Sequence, residues 1–204
     1  MSLFLLQTVG ISLSGVMAPG ALTAVTISHG SREGRSGILV ALGHCAIEFP
    51  IMVAVYYGLG SLLEVSIASV VVGAAGGLVL IWMGIGMIRG RNQGGDGHVS
   101  APHSPLLAGV LLTAANPYFL IWWVTVGATL LMRSAAFGLV GFVLFGVLHW
   151  LCDLVWLSFL SALAFKGNQV FGHSFQRGIF LVSGLFLLVM GFRFLYEAAV
   201  GISV

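Results

Sequence analysis

Charged side chains are scarce in this sequence, where they make up only 7% of the 204 residues. An average soluble domain carries about 25%. Hydrophobic residues account for 59%, more than the core of an aqueous domain can hold, so the composition excludes that class and indicates a protein embedded in lipid. The formal net charge of +2 is also too small for a nucleic-acid-binding surface.

Cysteine is rare as well, and familiar catalytic motifs are absent. The two cysteines, Cys45 and Cys152, lie inside apolar stretches, where we expect small buried residues and no disulfide. The sequence contains no Walker-type phosphate loop, no CxxC or HExxH motif and no nucleophile elbow. We therefore predict that the protein is not an enzyme, and that it has no cofactor and no metal centre.

Long apolar runs are abundant. The few charges divide the sequence into segments of roughly 20 or more mostly apolar residues, the length that a membrane-spanning helix needs. We predict an all-α integral membrane protein with six transmembrane helices. They are expected at about residues 3–27, 37–62, 66–88, 105–131, 136–163 and 178–198.

Lysine and arginine are distributed unequally between alternate loops. The loops after the first, third and fifth predicted helices contain Arg32, Arg35, Arg89, Arg91, Lys166 and Arg177. Basic loops remain in the cytoplasm during insertion, so both termini are predicted to lie outside. We expect a multi-pass protein of the cytoplasmic (inner) membrane, with the lipid bilayer as its surroundings.

The two halves of the chain resemble each other. Residues 77–84 read GLVLIWMG and residues 184–191 read GLFLLVMG, which are identical at five of eight positions. In the first and fourth predicted helices, Pro19 of VMAPGAL matches Pro117 of AANPYFL. In the second and fifth, a histidine is followed four residues later by an acid.

These matches occur in the same order and predict a duplication. We expect a three-helix repeat at 1–88, a polar cytoplasmic linker at 89–104 and a second three-helix repeat at 105–204. An odd number of helices per repeat makes the copies insert in opposite directions. Inverted repeats of this kind are typical of secondary transporters, whose sites lie near the middle of the membrane between the repeats.

Two helix breaks are candidate substrate-binding positions: Pro19-Gly20 in the first predicted helix and Asn116-Pro117 in the fourth. Proline leaves backbone groups unpaired, and lipid tolerates such groups only where they are buried in protein or line a cavity. A half-helix that begins at the break would direct its positive N-terminus toward a substrate carboxylate. The alternative is a plain proline kink, which is frequent in membrane helices.

Two acids lie in the middle of predicted spans. Glu48 comes 13 residues after Arg35, and Asp153 comes 13 residues before Lys166, so both should lie near the centre of the bilayer at the same height. An acidic residue there costs roughly 2.5–3.5 kcal/mol, so it rarely persists without a role. We predict that both acids bind the substrate and exchange a proton, the alternative being hydrogen-bonded structural acids.

His44 and His149 each precede their acid by four residues and share a helix face with it. With inverted helices and level acids, the four groups should form a column of histidine, two acids and histidine, spread over about 12 Å. A column suits a proton path better than a metal cage, whose ligands must lie within about 2–2.5 Å of one ion. Export of a divalent metal or other inorganic cation through these four residues remains the alternative.

The segments GVMAPGALTAVTISHGSREGRSGILVALGH, GLVLIWMG and GVLLTAANPYFLIWW together resemble the lysine exporter (LysE-type) family of amino-acid efflux permeases. The resemblance covers nearly the whole chain. It implies export of amino acids driven by the proton motive force, often by a homodimer. Together with the buried acids, it predicts proton-coupled export of an amino acid or similar small zwitterion, with a small molecule as the substrate.

Overall fold

The computed structural model describes residues 1–17, 20–58, 66–90 and 104–200. Nearly every residue in these ranges is helical and none forms a strand, which confirms the all-α class. The first seven helices are α1 Ser2–Val16, α2 Ala21–Arg32, α3 Ser36–Tyr56, α4 Ser66–Gly90, α5 Pro105–Ala114, α6 Pro117–Trp122 and α7 Ala128–Ala135. A π-helical turn, Trp123–Gly127, joins α6 to α7.

The last helical segment, Gly138–Val200, consists of two helices joined at Gly172. Gly172 has a φ of 64° and a ψ of −151°, a conformation that is essentially restricted to glycine. We label the two parts α8, Gly138–Gly172, and α9, Arg177–Val200. The fifth predicted helix therefore continues past residue 163, and Lys166 lies within α8 instead of in a loop.

Four helical stretches are long and apolar enough to cross a membrane: α3, Tyr118–Ala135, α8 and α9. The helices α1 and α2, bent by 77° from each other, make a fifth span if they are taken together. The chain is therefore a multi-pass membrane protein. Six spans were predicted; within the described ranges α4 contributes only a shorter apolar stretch, Ala74–Gly90.

Polar and apolar side chains are distributed as expected for a protein in lipid. Leu6 is 71% exposed and Val189 is 66% exposed, whereas His44, Glu48 and Asp153 are buried. A water-soluble fold would show the opposite arrangement. In a membrane, polar groups face the interior of the helix bundle, where they find partners or line a cavity.

The fourth predicted helix is broken between α5 and α6. Pro117 has no N–H to donate, and the chain closes α5 with a tighter turn in which the Asn116 N–H donates to the Thr113 carbonyl at 3.2 Å. Asn116 then adopts an extended conformation and caps α6, because its Oδ1 accepts from the Tyr118 N–H at 3.1 Å. Proline at the first position of α6 suits a helix start.

Close glycine contacts hold α4 against α9. A Cβ atom on Gly77 would lie 2.8 Å from the carbonyl oxygen of Gly191, and one on Gly84 would lie 2.8 Å from that of Gly184. These four glycines are the ends of the octapeptides GLVLIWMG and GLFLLVMG. The first glycine of each copy faces the last glycine of the other, so the two copies run antiparallel and meet face to face.

The helices α3 and α8 also run antiparallel. Near the start of α3, a Cβ atom on Gly37 would overlap the carbonyl group of Leu157. Near its other end, Met52 Sδ would lie 3.4 Å from a Cβ atom on Gly146. Residues later in α3 thus contact residues earlier in α8. This antiparallel register sets the relative height of the polar residues on the two helices.

Candidate functional site

Four buried polar side chains of α3 and α8 form one compact cluster. Glu48 Oε1 lies 3.2 Å from His44 Nε2 and 3.1 Å from His149 Nε2. Asp153 is slightly farther away, with Oδ1 3.7 Å from His44 Nε2 and Oδ2 3.9 Å from His149 Nε2. Both carboxyl groups therefore face both imidazoles, and Glu48, only 1% exposed, is the centre of the cluster.

The predicted column of histidine, two acids and histidine is wrong. The prediction assumed that Arg35 and Lys166 mark the same membrane surface, and it placed Glu48 and Asp153 at equal height because each lies 13 residues from one of them. Arg35 does mark the start of α3, but Lys166 lies inside α8 and does not mark a helix end. The antiparallel register instead sets each histidine opposite the acid of the other helix, so that every acid has imidazole neighbours.

The hydrogen bonds of His44 indicate where protons are held. Thr113 Oγ1 donates its hydrogen to the Gly109 carbonyl at 2.7 Å, so it can only accept from His44 Nδ1, 2.8 Å away. A neutral His44 with its hydrogen on Nδ1 would direct a lone pair from Nε2 toward Glu48. The contact between His44 Nε2 and Glu48 Oε1 is a hydrogen bond only when it contains a further proton, carried by the imidazole or by the carboxyl group.

His149 has a different set of neighbours. Its Nδ1 lies 2.7 Å from Ser12 Oγ of α1. Its ring stacks on Trp122, with 5.0 Å between the centroids, and meets Trp123 edge-on at 5.3 Å. The two tryptophans belong to α6 and to the π-helical turn, so ring packing connects the cluster to the half-helix that follows the break in the fourth span.

Two carboxyl oxygens of the cluster have no hydrogen bond. Glu48 Oε2 and Asp153 Oδ2 are buried and find no hydrogen-bond partner within the described ranges. An unsatisfied buried acceptor costs roughly 1–3 kcal/mol, and more when it is charged. These oxygens are suited to a ligand that brings a donor, such as an ammonium group. The ligating atoms of His44, Glu48 and Asp153 also lie within 4.8 Å of one another.

The cluster borders a cavity of about 430 Å³, a size typical of small-molecule sites. All four members of the cluster line it, together with Asn116 and Tyr118. Most of the remaining wall is apolar and includes Leu80, Leu112, Phe119, Trp122, Trp123, Leu157, Met190 and Phe194. A largely apolar wall with a few converging polar groups can hold an organic molecule and fix its orientation.

The start of α2 lies at the same cavity, which residues 20–23 line. Gly20 has an extended backbone and no side chain with which to cap the helix. The N–H groups of Ala21 and Leu22 have no acceptor within the helix, so an anionic group in the cavity could accept from them. At the start of α6, the side chain of Asn116 already accepts from a free backbone N–H, that of Tyr118. The two breaks, expected to be equivalent, therefore differ.

Most of the residues predicted for the site line this one cavity. They are Gly20, His44, Glu48, Asn116, His149 and Asp153. Pro117 begins α6 next to Asn116. Pro19 lies outside the described residues.

Other residues at the site were not predicted. Ser12 and Thr113 bind the two histidines, and their only sequence signal is a hydroxyl group within an apolar helix. Arg193 of α9 also lines the cavity. Contacts between helices that are distant in sequence bring these side chains to the site.

Known proteins resemble this chain along most of its length. The family model described as LysE type translocator matches residues 13–198. A relative from Bacillus subtilis (strain 168), named "Putative amino acid efflux protein YcgF", is 24% identical over 204 residues, which cover 97% of each chain. No solved structure matches the chain. Members of the matched family are transporters and not enzymes. The chain belongs to the LysE type translocator family.

Proposed function

We propose that this protein is a secondary transporter that exports an amino acid or a similar small zwitterion across the cytoplasmic membrane in exchange for protons. One observation carries the proposal: a single cavity borders two buried acids on one part of its wall and an uncapped helix start on another. An amino acid presents an ammonium group and a carboxylate, which match these two features. The name of the Bacillus subtilis relative supports the same substrate class.

The ammonium group binds at the cluster. Glu48 Oε2 and Asp153 Oδ2 are acceptors without hydrogen bonds, and an ammonium group has three donors. The carboxylate binds near Gly20, where the N–H groups of α2 can donate to it. Asn116 and Pro117 shape the wall beside it by starting α6.

Proton coupling arises because the ammonium group and the protons of the cluster compete for the negative charge of the same two carboxyl groups, although they contact different oxygens. The hydrogen bond between His44 and Glu48 requires a proton beyond those of a neutral imidazole and a carboxylate. A bound ammonium group supplies positive charge to Glu48 and Asp153, so it favours release of that proton. His149, which also contacts Glu48, is the second histidine of the cluster that can carry a proton.

For the whole chain we propose two inverted three-helix repeats, 1–88 and 105–204, joined by a cytoplasmic linker at 89–104, with both termini outside. The antiparallel contact of the two octapeptides supports this plan. So do the equivalent positions of His44 and His149, each of which contacts a hydroxyl group of a broken span. In this plan α4 is the third span.

Export of a divalent cation is the second candidate, because His44, Glu48 and Asp153 place their ligating atoms within 4.8 Å of one another. A cation transporter would use the same cluster with the metal as its substrate. The uncapped start of α2 and the apolar wall of the cavity would then have no role, so we place this candidate second.

Transport in proteoliposomes tests the proposal. Purified protein is reconstituted with an internal panel of radiolabelled amino acids, and efflux is measured with and without an inward proton gradient, alongside Zn²⁺ and Mn²⁺ in parallel vesicles. We expect proton-stimulated amino-acid efflux in the wild type. Glu48→Gln should lose the stimulation, since the amide cannot exchange the proton. Glu33→Gln is the matched control, because Glu33 is an exposed acid between α2 and α3.

Full proton-coupled efflux by Glu48→Gln would refute the role of the cluster. Metal transport without amino-acid transport would replace the proposal with the second candidate.

A further inference from the structure

Arg193 has a place in the cavity that the proposed function does not use. It is the only lysine or arginine among the described residues that line the cavity. Its side chain is 56% exposed and forms an ion pair with Glu197, whose side chain is 13% exposed. Its guanidinium group can donate further hydrogen bonds to the carboxylate of an organic substrate, whereas it offers no ligand atom to a metal ion.

The contacts of Arg193 leave part of its guanidinium group available. The Nε atom donates to Glu197 Oε1 at 2.7 Å, and the guanidinium carbon lies 5.5 Å from the ring centroid of Tyr118. Tyr118 Oη also donates to Glu197 Oε1, at 3.5 Å. Glu197 thus holds the guanidinium group through Nε, while no hydrogen bond is made by the two terminal amino groups within the described structure.

Two terminal amino groups side by side match the two oxygens of a carboxylate, the bidentate arrangement for which arginine is better suited than lysine. The acids of the cluster lie elsewhere on the same wall, and apolar side chains such as Leu80, Leu112 and Phe194 line the space as well. A molecule that satisfies all three parts has an ammonium group, a carboxylate and an apolar side chain.

We propose that Arg193 binds the carboxylate of the exported substrate, and that this substrate is a neutral amino acid with an apolar side chain. Glu197 is the positioning residue that orients Arg193. The inference rests on the proposed amino-acid export and adds a specificity-determining residue to it. The N–H groups at the start of α2 supply further donors to the substrate carboxylate.

Binding of L-leucine and of L-leucinamide to purified protein in detergent tests the inference, because the amide keeps the ammonium group and side chain but lacks the carboxylate. We expect the wild type to bind L-leucine about 10-fold or more tightly than L-leucinamide. Arg193→Gln should lose this preference, and Arg193→Lys should keep part of it. Arg133→Gln, which alters an exposed arginine of α7 that is absent from the cavity wall, should keep all of it.

The positioning role of Glu197 needs its own readout. Glu197→Ala should raise the KM for L-leucine efflux several-fold with little change in kcat, since it frees Arg193 without removing its charge. Glu197→Gln retains an oxygen that can accept from Arg193 Nε and should restore the KM. A purely structural role would lower the melting temperature in both variants without this split between KM and kcat.

The outcomes separate this inference from the proposed function. The role of Arg193 is refuted if Arg193→Gln keeps the preference for L-leucine over L-leucinamide, or if it lowers the affinity for both ligands by the same factor. If the wild type exports L-lysine but neither binds nor exports L-leucine, the apolar substrate class is refuted, although amino-acid export stands. If the wild type exports no amino acid, both the proposed function and the inference fail.

Discussion

Replacing Thr113 by valine should show whether the cluster holds the extra proton. Valine has nearly the same shape, but it cannot accept from His44 Nδ1, which Thr113 Oγ1 does at 2.8 Å. Without that acceptor, His44 can shift its hydrogen to Nε2 and donate to Glu48 as a neutral imidazole. The variant then needs one proton fewer to complete the bond between His44 and Glu48.

The structure sets the size of the effect. If the hydrogen stays on Nδ1, a buried donor is left unsatisfied, which costs roughly 1–3 kcal/mol. If it shifts, His44 still donates to Glu48, and the lost hydrogen bond to Thr113 costs about 1 kcal/mol. For a chain of this length a loss of 1–3 kcal/mol lowers the melting temperature by about 2–12 °C, measurable by a thermal melt in detergent.

Thr125→Val is the matched control. Thr125 Oγ1 donates to the Ile121 carbonyl at 2.7 Å, as Thr113 Oγ1 does to the Gly109 carbonyl. Thr125 is exposed, unlike Thr113, and within the described ranges it makes no hydrogen bond with a histidine. We expect the control to melt like the wild type and to keep proton-stimulated efflux, whereas Thr113→Val loses stability and part of the stimulation. Thr113→Ser, which keeps the hydroxyl group, should recover both. Equal melting temperatures and equal proton stimulation in Thr113→Val and Thr125→Val would refute the proton assignment at His44.

Two further predictions concern the scaffold, and both are checked by the same melts. Gly191→Ala should cost about 1–3 kcal/mol, because its Cβ would lie 2.8 Å from the Gly77 carbonyl oxygen, a backbone atom that cannot easily move away. Gly178→Ala in the same helix meets nothing within 4 Å and should be neutral or slightly stabilising. Equal melting temperatures of the two variants would contradict the close glycine contact between α4 and α9. Asn116→Ala should cost about 1 kcal/mol, because it removes the cap of α6. Ser104→Ala should cost less, because the exposed bond from Leu107 N to Ser104 Oγ is longer, at 3.4 Å. A smaller loss of stability in Asn116→Ala than in Ser104→Ala would argue against the cap.

The membrane class and most of the residues that line the candidate site could be predicted, because both depend on which residues are present. Acids, histidines and proline breaks in apolar runs are costly in lipid, so each marks a position with partners or a cavity. Glu48, Asp153 and their histidines do lie together at one cavity. The two similar octapeptides of the sequence also meet each other in the structure, where they run antiparallel.

The shape of the cluster could not be predicted, because it depends on how far α3 and α8 slide along each other. That register is set by close contacts such as Gly37 against Leu157, which no local pattern encodes. Flanking charges gave a false measure of depth, since α8 extends past Lys166 to a glycine with an unusual backbone conformation. A helix can carry a lysine in its last turns, where the long side chain reaches the membrane surface.

The difference between the two helix breaks could not be predicted from the sequence pattern either. Asn116 and Gly20 each adjoin a proline in the sequence, but only asparagine has a side chain that can cap the following helix. A matched pair of prolines therefore predicts two helix starts, while the neighbouring residue decides which start remains available to a ligand.

The two acids of the cluster are likewise unequal, and the inequality suits transport. Glu48 reaches both imidazoles within 3.2 Å, whereas Asp153, one methylene shorter, stays 3.7 and 3.9 Å away. If both acids were fully hydrogen-bonded to the histidines, no acceptor would remain for a substrate ammonium group. If neither were, two unpaired acids would destabilise the empty site. In the proposed mechanism the contacts of Glu48 Oε1 with both histidines keep the empty cluster together, while Asp153 and the second oxygen of Glu48 remain available to the ammonium group.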